Sequence, residues 1–375
     1  MKRDLSISRR WLGACSVALW ATASLALTPA LSQAQTRKDT VVLGMILEPT
    51  SLDPTMAPAA AIGEIVHYNI LEGLTKINVD GSVSPLLAES WKMDADGKAF
   101  TFKLRKGVKF SDGSAFDAEA VKFSFERAKA EKSTNKAKGA VFSNISHIST
   151  PDAHTVVLVL NNPDGNFLFR MGENTAVILH PNSAANAATK PVGTGPYKLD
   201  NWAKGSAVTL SKSDTYRDPA AIKIKKVTFR FINDSAAQVA ALLAGDIDGM
   251  PRFQSPQSLK QFQADKRFVV EVGSTAGKGI MTINNRKKPF DDVRVRRALS
   301  HAVDKKAFID GVFEGLAKPI GSHMAPTDAG YVELSGTYAY DMRELGYKPN
   351  RVARRLRTRD SSSHLLGLII TYTKA

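Results

Sequence analysis

The side chains that could do chemistry in this 375-residue sequence are scattered. Of seven histidines, His147 and His154 stand closest, seven positions apart, so no His-x-x-x-His face offers two imidazoles to a metal. Asp246 and Asp248 could share a cation, but they sit in Gly245-Asp246-Ile247-Asp248-Gly249, whose glycines fit a turn that ends a helix. A hydrolase nucleophile elbow needs Gly-x-Ser-x-Gly, and Gly273-Ser274-Thr275-Ala276-Gly277 puts its serine in the wrong place. Pro191-Val192-Gly193-Thr194-Gly195-Pro196-Tyr197-Lys198 has the glycines of a phosphate cradle. It lacks Gly-Lys-Ser/Thr, and no helix opens after Gly195, so it reads as a tight turn entering a strand.

None of these residues points to catalysis, and the elements around them are ordinary strands, turns and helices. Phe100, Phe102 and Leu104 alternate with Thr101, Lys103 and Arg105, the period of a half-buried strand. Val108 and Phe110 continue the apolar face to the turn Ser111-Asp112-Gly113-Ser114. Asp117 then stands as an N-cap, with Val121, Phe125 and Ala128 on one helical face. Thr40–Leu47 reads as a central strand, leading into a loop set by Pro49 and Pro54. Helices are expected over Ala60–Leu71 and Ala236–Ala244, and strands over Val156–Leu160 and Lys226–Phe231. A further helix has Val295, Leu299, Ala302 and Val303 on its apolar face, with Asp291 or Asp292 near its start.

Length and composition suit two or three domains of a globular protein. Lys2, Arg3, Arg9 and Arg10 precede an apolar run from Trp11 to Leu27 and a small-residue site at Ser32-Gln33-Ala34. Residues 1–34 are expected to be a signal peptide cleaved after Ala34, in competition with a membrane anchor. Ser8-Arg9-Arg10-Trp11-Leu12 also fits a twin-arginine signal. Leu12-Gly13-Ala14-Cys15 has lipobox wording, but the apolar run follows Cys15, so lipidation is not expected. As the sole cysteine, Cys15 leaves the exported chain without disulfides, thiol catalysis or cysteine-based metal sites. Of the net charge of +15, +3 lies in residues 1–34 and +6 in 342–375. The +6 left for 35–341 is too diffuse to suggest nucleic acid.

The stretch Pro85–Phe125, with Pro-Leu-Leu-Ala-Glu-Ser-Trp, Phe-x-Leu-Arg-x-Gly-Val-x-Phe and Ser-Asp-Gly, resembles the family 5 solute-binding proteins. These are periplasmic receptors of peptide, oligopeptide and nickel ABC importers. Leu52-Asp53-Pro54, Leu71-Glu72-Gly73-Leu74, the Gly193-Thr194-Gly195-Pro196 turn, Gly245-Asp246-Ile247-Asp248 and Pro289–Leu299 follow in that family's order. The resemblance implies a two-lobed α/β periplasmic binding protein-like fold with an extra subdomain on lobe I. It places the lobe I core at 35–75 and 191–272, the subdomain at 76–190, and the start of lobe II at 273–341. It implies no catalysis and no cofactor, and a monomer that captures peptides or similar small solutes for ABC permease subunits. Family contact regions map by position to Ala59 and Ala60, to Met250, Pro251, Arg252 and Phe253, and to the hinge stretch from Thr275 to Lys278. Receptors for nickel chelates or sugars, or an extracytoplasmic hydrolase, are the alternatives.

The pattern breaks at Met342. Tyr338-Ala339-Tyr340-Asp341 fits the family, but 342–375 is an atypical basic tail whose Arg351, Arg354, Arg355, Arg357 and Arg359 accompany no apolar stripe. It is read as an out-of-frame continuation, with a basic arm for nucleic acid or membrane as the other reading. On that reading lobe II is incomplete and shows unpaired strand edges and an uncovered apolar face.

Overall fold

The computed structural model describes residues 39–57, 59–273, 277–326, 330–341 and 368–369. The expected signal peptide, Cys15, Thr275 and nearly all of the basic tail lie outside the described residues. In chain order the first elements are β1 (Thr40–Met45), α1 (Ala60–Val66), β2 (Thr75–Ile77), β3 (Val83–Pro85), β4 (Ala88–Met93) and β5 (Ala99–Leu104). Then come α2 (Ala118–Lys129), β6 (Ile145–Asp152), β7 (Thr155–Leu160), α3 (Phe167–Arg170), β8 (Tyr197–Ala203), β9 (Ala207–Lys212) and β10 (Lys226–Phe231). The last are α4 (Ser235–Ala244), α5 (Leu259–Ala264), β11 (Ile280–Met281), α6 (Val293–Ala302), α7 (Lys305–Phe313) and β12 (Leu368–Ile369).

One sheet has the order β1-β10-β9-β8, with β1 parallel to β10 and the other pairs antiparallel. The far side of β1 is not a bare edge. After α4 the chain returns alongside it: Gly44 N–H donates to Gly249 O (2.9 Å), and Asp248 N–H donates to Val42 O (2.7 Å). The Asp248 carboxylate in turn accepts from Val42 N–H at 2.7 Å. That carboxylate therefore serves the strand backbone, as the turn reading of Gly245–Gly249 implies. Gly245 ends α4 in the left-handed region (φ 80°), where glycine is favoured.

The second sheet, β4-β5-β7-β6, is antiparallel throughout. The alternation read from sequence is realised in β5, where Phe100, Phe102 and Leu104 are buried. Asp117 caps α2 by accepting from Ala120 N–H (3.0 Å), and α2 buries Val121, Phe125 and Ala128 against this sheet's core. The hairpin between them is short, closed by Phe110 N–H to Ser114 O (2.9 Å), with Gly113 at φ 90°.

The first helix is shorter than its expected span of Ala60–Leu71. It stops at Val66, because His67 is extended and Tyr68 is left-handed (φ 60°). The freed segment does a different job. Carbonyls of Asn69 and Ile70 accept from Tyr197 N–H (2.9 Å) and Gly195 N–H (3.0 Å), seating the glycine turn against it. A Cβ on Gly193 would lie 2.0 Å from Ile70 O, and one on Gly195 2.4 Å from Asn69 O. Close backbone approach, not phosphate, is what these glycines serve.

Two buried carboxylates connect distant parts of the chain. Glu72 accepts from both terminal nitrogens of Arg217 (2.7 and 2.8 Å) and from Thr194 Oγ1 (2.9 Å). Asp53 accepts from Arg127 (2.7 Å), on α2, and from Thr55 Oγ1 (2.6 Å). A buried carboxylate is tolerable only when paired and hydrogen-bonded this fully.

Residues 277–341 differ in kind. Asp292 and Asp304 cap α6 and α7, accepting from Arg294 N–H and Ala307 N–H at 2.8 Å each. Yet neither helix has a buried residue, and Ala325 is the one buried side chain among the described residues of this span. The expected apolar face of α6 is only half-buried at Val295, Leu299 and Ala302, and Val303 is exposed.

Candidate functional site

Where a parallel strand pair ends at its carboxyl side, the diverging connections leave a crevice that ligands commonly occupy. Here that place is the end of β1. The chain from Gly44 to Leu47 forms the floor of a small cleft, with Ala60, Ala61 and Glu64 of α1 on one side and Pro251, Arg252 and Gln254 on the other. Its volume is about 40 Å³. Gly44 sits close beside it: a Cβ there would come within 2.7 Å of Ile247 Cδ1, so the end of that side chain would have to shift.

The two sides are joined by an ion pair between Arg252 and Glu64, whose side chains are 59% and 37% exposed. Behind the floor, Glu48 accepts from Trp202 Nε1 (3.0 Å) and from Gly205 N–H, which fixes the loop leaving β1 onto the β8–β9 hairpin. Near the end of α1, His67 faces Gly172 O at 3.0 Å and stacks on Tyr68. Burial holds its pKa down to about 4, although the carbonyl opposes this. The imidazole is thus neutral at pH 7 and serves packing.

Three of the eight positions expected to touch a ligand line this cleft: Ala60, Pro251 and Arg252. Ala59 is the residue before α1 and leans on the core behind it. Met250 lies under the floor, 3.6 Å from where a Gly44 Cβ would be. Phe253 turns to pack edge-on against Phe262 of α5 (centroids 5.7 Å apart). Lys278 is half-buried elsewhere in the chain, and Thr275 is outside the described residues. Glu64 and Gly44 carry no sequence signal of their own, since their importance comes from segments about 190 and 200 positions away.

A larger concavity of about 570 Å³ runs along β8, lined by Trp202, Lys190, Lys198 and Lys204 among others. Two of its charged residues are already paired outward, Lys198 with Asp214 (3.0 Å) and Asp200 with Lys226 (3.1 Å). It follows β8, the edge strand of the sheet, and not the end of the parallel pair β1–β10, so the cleft at β1 is the stronger candidate. Among the described residues no group of three His, Cys, Asp or Glu side chains could hold a metal ion.

Residues 82–354 match the model of the bacterial extracellular solute-binding proteins, family 5 (middle). The chain belongs to this family. The glutathione-binding protein GsiB of Salmonella paratyphi A is 28% identical over 91% of this chain and 66% of its own length. A structure of the periplasmic binding protein AgaA of A. tumefaciens R10 with agropinic acid is 30% identical, with a TM-score of 0.72, covering 81% of this chain and 62% of that one. The periplasmic binding protein DppA of Helicobacter pylori, in complex with the peptide STSA, is 29% identical with a TM-score of 0.71. It covers 81% of this chain and 64% of that one. The family 5 chain thus has the mixed α/β periplasmic binding protein fold and spans two thirds or less of these relatives' lengths. The proteins it resembles are solute-binding proteins. Among its described residues no helix is long and apolar enough to cross a membrane.

Proposed function

We propose that this chain is the substrate-binding component of an ABC importer, acting in the periplasm on a peptide or similar small solute. The observation that carries this is the cleft at the end of β1, where Ala60, Pro251 and Arg252 meet in a family 5 chain. The ligand would sit on the strand end and be held by backbone groups and a few side chains. In this reading 35–75 and 191–272 form the core of lobe I, 76–190 its subdomain, and 273–341 the start of lobe II. Closure of the lobes about the ligand would present the protein to membrane permease subunits, with the receptor acting as a monomer and performing no chemistry. The relatives' ligands, glutathione, agropinic acid and a peptide, share carboxylate and amide groups and define the first probes.

Isothermal titration of the full chain with di- to tetrapeptides, glutathione and a nickel–histidine chelate tests it. The expected result is stoichiometric binding of one peptide-like class with no turnover in peptidase or esterase assays. Turnover without stoichiometric binding contradicts the receptor reading.

A further inference from the structure

The cleft is too small to receive a solute as it stands. Its 40 Å³ would hold a few water molecules, whereas ligand pockets run to roughly 300 Å³ and more. Its two walls are tied by the Arg252–Glu64 ion pair, so a ligand enters only if that pair parts. Both side chains are substantially exposed, and an exposed ion pair is weak, so parting it is easy. Each charge, then solvated by water, can take a ligand group in its place. A guanidinium prefers a planar, bidentate carboxylate, and the released Glu64 prefers an ammonium.

We infer that Arg252 and Glu64 are the specificity-determining pair of this cleft, reading a carboxylate and an ammonium carried on one ligand carbon. The two protein charges touch each other, so the ligand charges that replace them must also lie close together. The α-amino-acid end of a free amino acid or a γ-linked glutamyl peptide meets that requirement. The two termini of an ordinary extended tripeptide, roughly 10 Å apart, do not. In the empty protein Glu64 holds the place of the ligand carboxylate, and the ligand ammonium later takes the place of Arg252. This rests on the proposal that the cleft takes a solute at all.

The test is calorimetric titration of the full chain with two isomeric tripeptides, γ-Glu-Ala-Gly and α-Glu-Ala-Gly, on wild type, Arg252→Gln and Glu64→Gln. The isomers have the same atoms and net charge, but only the γ-linked one keeps ammonium and carboxylate on one carbon. Wild type is expected to prefer the γ isomer by about tenfold or more, and each variant to lose that preference, its affinities for the two isomers falling within about twofold of each other. The preference should also shrink as salt rises from 0.05 to 0.5 M, because the groups are exposed. Thermal melts of both variants should match wild type, since exposed positions tolerate glutamine. Equal binding of the two isomers by wild type, or a preference that survives both substitutions, overturns this inference and leaves the receptor proposal standing. Failure of wild type to bind either these peptides or the broader set of solutes removes both.

Discussion

The helices α2 and α6 begin in the same way and end up in different surroundings. Each opens on an aspartate that accepts a backbone N–H of its first turn, Asp117 from Ala120 and Asp292 from Arg294. Each has apolar residues at helical spacing. But α2 buries six residues against a four-stranded sheet, whereas α6 and its neighbour α7 bury none. The ion pairs differ in the same sense. Asp53 and Glu72 are 2% exposed and tie segments far apart in sequence, while Asp292–Arg294 and Asp310–Lys306 are local surface pairs. A cap and a periodic pattern are enough to make a helix. Stability comes from what the apolar face finds to pack against.

The sharpest way to break this contrast is by matched truncations of aromatic side chains. Phe102→Ala, inside the second sheet's core, should cost about 4 kcal/mol in urea unfolding. Phe308→Ala, on α7 and 37% exposed, should cost less than about 1 kcal/mol. Equal costs would mean that residues 277–341 share the first region's packing. Next in size, Arg217→Met leaves Glu72 buried with only Thr194 as a side-chain partner and should cost about 3 kcal/mol. A loss under about 1 kcal/mol would show that water reaches Glu72 readily and that the pair does not join the two parts.

The pH dependence also belongs to the packed region. With a folded pKa of about 4 and an ordinary value of 6.5, His67 takes up its proton more readily in the unfolded chain. Its contribution is therefore fully present above pH 6.5 and is lost as pH falls toward 4, by ~3 kcal/mol in all. In His67→Gln the slope of stability against pH between 6.5 and 4 should flatten. An unchanged slope would assign the acid sensitivity to other groups. The smallest effect concerns the caps. Asp117→Ala should lower global stability by about 1 kcal/mol, whereas Asp292→Ala should change local helicity at α6 and leave the main transition in place.

Much of this was legible in the sequence. The alternation of Phe100, Phe102 and Leu104, the Asp117 cap and the turn at Gly113 follow from local rules, and the folded chain obeys them. The early end of α1 was not legible, because the left-handed Tyr68 leads into carbonyls whose partners, in the Gly195 turn, lie about 130 residues further on. Nor were Asp53 and Glu72 recognisable as buried ion-pair members, although each stands among apolar neighbours, which is the one hint available. Their partners, Arg127 and Arg217, lie 74 and 145 positions away and carry no local mark. The cleft was half legible: the segments 59–60 and 250–253 were expected, while Glu64 and Gly44 are chosen by tertiary contact alone.

Solute is proposed to bind at the end of β1. Hydrogen exchange of the full chain, with and without a saturating peptide ligand found by titration, tests it most directly. Slowed exchange is expected at residues 44–48, 60–66 and 250–254, with little change along β8. Protection centred on 111–112, 189–192 and 198–204 would place the ligand in the larger groove and contradict it.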